Sequence, residues 1–78
     1  MKLIELKKNQ KAIIKKIDAS DELKKRFFSL GLIRGALIEI IDCSLAKSTI
    51  ELKVGTTLIA LRDSEAKTIE VEILNETD

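Results

Sequence analysis

The side chains able to do chemistry in this 78-residue chain are carboxylates, lysines, arginines and one thiol, because histidine is absent. Without imidazole there is no Ser-His or Cys-His nucleophile pair, no imidazole general base and no histidine-bearing zinc site, which removes most enzyme classes. Asp18, Asp21 and Glu22 are close enough in sequence for paired acid/base work. Their place at a helix start explains them better as caps and a solvated face that complement the helix dipole. Cys43 has no second cysteine to bridge and no adjacent basic run to lower its pKa, so it reads as a small side chain at a strand end. Gly31, Gly35 and Gly55 stand alone, with no GxGxxG, GxxxxGKS or GxxxxGKT pattern to cradle a phosphate. The acids scatter over alternating outward positions and do not converge on a hard cation. The expectation is a protein that is not an enzyme, with no cofactor and no metal site.

Binding chemistry is better represented. Lys24-Lys25-Arg26 runs directly into Phe27-Phe28, a basic-aromatic pairing of the kind that binds RNA on small barrels. Against it stand a net charge of +1, the need for Phe27 in the core, and the lack of any third aromatic as a stacking platform. Charge is unevenly distributed along the chain. Residues 1–39 hold ten Lys/Arg against five Asp/Glu, and residues 40–78 hold four against eight, leaving +5 and −4. Such polarity orients a domain on a charged partner when the fold keeps the halves apart.

These side chains need elements to position them. Leu3, Ile4 and Leu6 open an apolar segment, and a polar turn at 7–10 leads into a first strand at 11–18. Ala12 and Ile14 share one face of that strand, with Ile17 on the other unless a bulge intervenes. Ser20 caps a helix reaching about Leu30, with Leu23, Phe27 and Leu30 as its apolar stripe and Phe28 well off it. Gly31 ends the helix in a left-handed residue, folding Leu32 back onto Phe27. Arg34-Gly35 fits the centre of a type II turn. A strand at 36–42 follows, apolar on both faces except at Glu39, as a central strand would be, and a polar loop at 43–48 follows it. The run 49–54 alternates cleanly, Gly55-Thr56 makes a two-residue hairpin turn, and the chain returns through 57–62. A single helical turn from Asp63 or Ser64 to Lys67 precedes a last strand with Ile69, Val71 and Ile73 inward, and 75–78 reads as a frayed tail.

Five short strands, one helix after the first and a helical turn before the last describe a mostly β fold, a small partly open barrel forming a single domain over 1–78. At 45% hydrophobic residues and nearly balanced charge, the chain should fold without disorder. No apolar run approaches the roughly 20 residues that span a bilayer, and the expected location is the cytoplasm.

The stretches RFFSLGLIRG at Arg26 to Gly35 and TIELKVGTTLIALRDSEAKTIEV at Thr49 to Val71 carry a family resemblance, strongest at Leu61-Arg62, Glu65-Ala66, Ile69 and Val71. In their order and spacing they resemble the FeoA family, small cytosolic proteins that accompany the FeoB ferrous-iron transporter, over a core of about residues 6–73. The resemblance implies an SH3-like barrel and a binding module for transition-metal transport. It also implies docking on the cytosolic side of a FeoB-type membrane GTPase in support of Fe²⁺ uptake. The chain departs from the family in having Arg34-Gly35 where Pro-Gly is usual, Asn9 near a usual glycine, and no proline in the 43–49 loop.

As partner contacts, Phe28, Ile33 and Arg34 are the residues the core does not claim, with Arg26 and Arg62 as flanking charges. Phe28 or an unpaired barrel edge also offers a route to self-association. Two alternatives remain open at this level. One is an SH3-like regulatory module acting with an iron-dependent transcriptional regulator, and the other is a small RNA-binding barrel.

Overall fold

The structure, a computed structural model, describes residues 1–44, 46 and 48–74. After a 3-10 turn at Leu3–Glu5, the elements are β1 (Lys11–Ile17), α1 (Asp21–Ser29), β2 (Leu37–Ser44), β3 (Thr49–Val54), β4 (Thr57–Arg62), α2 (Asp63–Ala66) and β5 (Ile69–Ile73). The strands form one antiparallel sheet in the order β4-β3-β2-β1-β5, the small SH3-like barrel expected from the sequence. Its interior holds Ala12 and Ile14 of β1, Ile38 and Ile40 of β2, Ile50 and Leu52 of β3, Ile59 and Leu61 of β4, and Ile69 and Val71 of β5. Leu3, Leu6, Phe27, Leu32 and Ala66 close that interior from outside the sheet.

Each strand contributes alternate residues to the core because side chains alternate across a pleated sheet. Two bulges adjust the alternation. Ile14 pairs with Val71 and Ile17 with Ile69, so β1 spends three residues where β5 spends two, and Ile17 turns back to pack against the core. A second irregularity lies between Ile40 and Asp42 of β2. Beyond it the ladder resumes with Cys43 opposite Ile50 and Ser44 opposite Thr49, so β2 runs two residues further than expected. Cys43 therefore belongs to a strand and not to the loop; positions 45 and 47 of that loop lie outside the described residues, as does the tail at 75–78. The outer face of β2 is the other correction: Leu37 is about half exposed, so this central strand is buried on one side only.

The turns are built as their residues dictate. Asn9 takes φ 73, the left-handed geometry asparagine tolerates, while its N–H donates to the Ile40 carbonyl at 2.8 Å. The β3–β4 hairpin turns at Gly55 with φ 60, and Val54 faces Thr57 across a two-residue loop. On the β5 edge, the Val71 N–H donates to the Met1 carbonyl at 2.8 Å and Lys2 bridges to Glu70. The opening residues thus cover one of the two sheet edges.

Candidate functional site

Helix α1 begins where the Ser20 hydroxyl accepts from the Leu23 N–H at 3.2 Å. It ends in a full Schellman motif: the Leu32 N–H donates to the Phe27 carbonyl at 2.9 Å and the Gly31 N–H to the Phe28 carbonyl at 3.1 Å. Gly31 supplies φ 85, and Phe27 and Leu32 are both fully buried. With Phe27 thus anchored, the next residue is carried about 100° around the helix by its 3.6-residue repeat. Phe28 therefore projects outward, 72% exposed.

The chain then reverses over a short distance. The Ile33 N–H donates to the Gly31 carbonyl and the Ala36 N–H to the Ile33 carbonyl, at 3.1 and 3.0 Å. The latter bond closes a type II turn with Arg34 and Gly35 at its centre, Gly35 at φ 90. The turn is fastened to β1, because the Gly35 N–H donates to the Ile14 carbonyl at 2.7 Å and the Ala36 carbonyl accepts from the Ile14 N–H at 3.0 Å. Ile33 and Arg34 are held on the outside of this corner, both exposed. Phe28, Ile33 and Arg34 are thereby collected around the C-terminal end of α1.

Arg26 and Arg62 go elsewhere. The Arg26 guanidinium forms a salt bridge with Glu65 of α2, and the other oxygen of the same carboxylate accepts from the Arg62 N–H at 3.0 Å. Arg26 thus has a structural task, tying α1 to α2, that the sequence alone leaves unassigned. Partial burial raises the Glu65 pKa, but the Arg62 and Arg26 hydrogen bonds and the two arginine charges outweigh it and hold the carboxyl below its ordinary value. The Arg62 side chain itself is exposed beyond this junction.

The structure adds two apolar residues to those named from sequence. Leu37 on the outer face of β2 and Leu58 on the outer face of β4 are 49% and 69% exposed. Both flank Val54, since Ile38, which follows Leu37, and Thr57, which precedes Leu58, are its register partners. Gly31 also lies against Val54, with a Cβ built there coming within 3.9 Å of the valine side chain. Leu37 and Leu58 thus share the outer face at the hairpin end of the sheet, while the end of α1 packs against Val54, whose side chain faces the core. The strict alternation of β4, with Ile59 and Leu61 inward, is the sequence signal that assigns Leu58 to the outside.

Among the described residues there is no group of three or more Cys, Asp or Glu placed to hold a metal ion. Burial, then the charges of Asp42 and Asp63, push the Cys43 thiol up, away from the reactive thiolate. Among the described residues no helix is long and apolar enough to cross a membrane.

Comparison with known proteins agrees with this architecture. A Campylobacter jejuni protein named Fe(2+) transport protein A is 45% identical over 74 residues, covering 95% of this chain and 100% of that one. A Porphyromonas gingivalis fusion of Fe(2+) transport protein A with the Fe(2+) transporter FeoB is 25% identical over 75 residues, 96% of this chain and 9% of the fusion. The solution structure of FeoA from Chlorobium tepidum superposes with a TM-score of 0.90 at 32% identity, covering 100% of this chain and 74% of that one. A manganese-dependent transcriptional repressor reaches a TM-score of 0.88 at 17% identity, over 95% of this chain and 36% of the repressor, a likeness of fold alone. The model of the FeoA domain matches residues 1–73, and the chain belongs to the FeoA family.

Proposed function

We propose that this chain is a cytoplasmic accessory protein of ferrous iron uptake that binds the cytosolic side of a FeoB-type GTPase transporter and supports Fe²⁺ transport. The observation that carries the reading is the Porphyromonas gingivalis relative, in which the corresponding domain is fused to FeoB. Fusion raises the effective concentration of two modules that work together. The contact residues in this reading are Phe28, Ile33 and Arg34, with the Arg62 side chain as a flanking charge. Arg26 contributes by fixing α1 through Glu65. The module acts by binding, without catalysis of its own.

The test is binding of the purified chain to the intact transporter in nanodiscs, paired with Fe²⁺ uptake by cells that lack this chain and are complemented with it or its variants. The doubly substituted Phe28→Ala/Arg34→Glu protein should remain folded and lose both binding and complementation. Wild-type behaviour from that folded variant would reject the proposed face.

A further inference from the structure

The two edges of the sheet are treated differently. Met1 and Lys2 shield β5, whereas among the described residues β4 pairs with β3 alone. The devices that usually protect such an edge are missing from β4. Its six residues include no lysine or proline, and its ladder with β3 runs without a bulge from Val54 and Thr57 to Thr49 and Arg62. Both faces of its centre are apolar, with Leu58 and Ala60 exposed on the outside and Ile59 and Leu61 buried.

The hairpin decides which backbone groups this edge presents. Val54 and Thr57 close the two-residue loop as a hydrogen-bonded pair, and bonded and non-bonded pairs alternate from there. Leu58, Ala60 and Arg62 fall in the non-bonded pairs, so their N–H and C=O groups point away from β3. The Arg62 N–H is taken by the Glu65 carboxylate at 3.0 Å. Those of Leu58 and Ala60 have no partner among the described residues.

We propose that β4 is a self-association edge that takes β4 of a second copy of this chain, antiparallel about a two-fold axis at Ile59, with Leu58 of each copy opposite Ala60 of the other. In that register both pairs exchange both N–H···O bonds, using every free backbone group of Leu58 and Ala60. Moving the axis by one residue in either direction fails. An axis at Ala60 sets Leu58 opposite Arg62, whose N–H is already committed, and an axis at Leu58 sets Ala60 opposite Thr56, in the turn.

The outward charges select the same register. On β3, Lys53 stands beside Leu58 and Glu51 beside Ala60. With the axis at Ile59, each outer row across the two copies reads Lys53, Leu58, Ala60, Glu51, with opposite charges at its ends. An axis at Leu58 would end a row in two lysines, and one at Ala60 in two glutamates, which like-charge repulsion opposes. The edge is complementary to itself, as an isologous two-fold contact requires, and this selects a second copy over an unrelated strand. The contact is one strand wide, so association is weak and depends on concentration.

The experiment is sedimentation velocity of the full-length chain from about 10 μM to about 1 mM, the range in which weak dimers form, with hydrogen exchange by NMR at both ends of it. The wild-type mass should rise from that of one chain towards that of two, and the Leu58 and Ala60 amides should gain protection with it. Ala60→Pro removes an outward N–H and spares the β3 ladder, so it should melt near the wild type and stay monomeric. Leu58→Lys should weaken the dimer about tenfold, and Leu58→Lys/Ala60→Glu should recover it, because the register sets those positions opposite each other. A wild type that is monomeric throughout would overturn the inference. So would a dimer whose Leu58 and Ala60 amides exchange as in the monomer, or one that persists in folded Ala60→Pro and Leu58→Lys proteins. Protection of those amides only on adding the transporter in nanodiscs would overturn it in favour of a strand from that partner.

Discussion

Arg26 of α1 and Glu65 of α2, 39 positions apart, are joined by a salt bridge, and the same carboxylate receives the Arg62 N–H that begins α2. One side chain therefore does two jobs, capping a helical turn and clasping the helix that displays Phe28. The Glu65 side chain is 14% exposed and that of Arg26 49%, so the pair is partly shielded from solvent screening.

Replacing Glu65 with alanine should cost about 1 kcal/mol, in the range of a lost helix cap plus a weak ion pair. Each kcal/mol lowers Tm by roughly 4 to 8 °C in a domain of this size, well within reach of a thermal melt. The pH dependence has a definite sign. Because the folded carboxyl lies below its ordinary value of 4.5, its contribution is complete above that pH and is lost as pH falls from there through the lower folded value. In Glu65→Gln, that segment of the stability-against-pH curve should flatten.

Phe27 and Phe28 should respond oppositely to truncation. Phe27 is fully buried, so Phe27→Ala should cost about 3 to 5 kcal/mol, enough to threaten the fold of so small a domain. Phe28 is exposed, and Phe28→Ala should change stability by less than about 0.5 kcal/mol. Urea melts of the two variants distinguish them. A comparable loss in both would contradict the assignment of Phe28 to the surface.

Gly35→Ala should destabilise by about 1 to 2 kcal/mol through backbone strain alone, since nothing lies within 4 Å of the added Cβ and φ is 90. A right-handed residue there would also disturb the two hydrogen bonds that fasten the turn to Ile14. The readout is the denaturation midpoint, accompanied by faster amide exchange at Gly35.

Arg34→Pro should act in the other direction. Position i+1 of a type II turn needs the φ that proline presets, and the stiffer unfolded chain should add about 0.4 to 1 kcal/mol. The same substitution removes the charge assigned to docking. A protein that melts higher and binds the transporter less tightly is the expected combination, measured by calorimetry and nanodisc binding.

Much of the fold was legible because its signals are local. The clean alternation of Thr49 to Val54, the glycine of the hairpin and the cap-stripe-glycine pattern of α1 each specify a conformation without help from distant residues. The extension of β2 through Ser44 was not legible, since it depends on a bulge that sets Cys43 opposite Ile50, a choice made by the neighbouring strand. The exposure of Leu37 escaped for a related reason: an apolar side chain on a central strand looks buried until the sheet proves to have one open face. Phe28, Ile33 and Arg34 could be marked from sequence by elimination, as residues the core did not need. Arg26 could not be sorted from them, because its carboxylate lies 39 positions away and no spacing rule connects the two.

The adjacent phenylalanines of α1 make the fold and its display face neighbours in sequence yet independent in consequence. Phe27 is answerable to the interior, whereas Phe28 is free to follow whatever partner the chain meets. Point substitutions at Phe28 can change the surface without unseating the barrel. A one-residue insertion or deletion between Ser20 and Phe27 is a different matter. It would turn the helix by about 100° relative to its capped start, a deletion carrying Phe28 and an insertion carrying Arg26 into the place of the buried anchor. This short segment is thus permissive toward changes of letter and intolerant of changes of length.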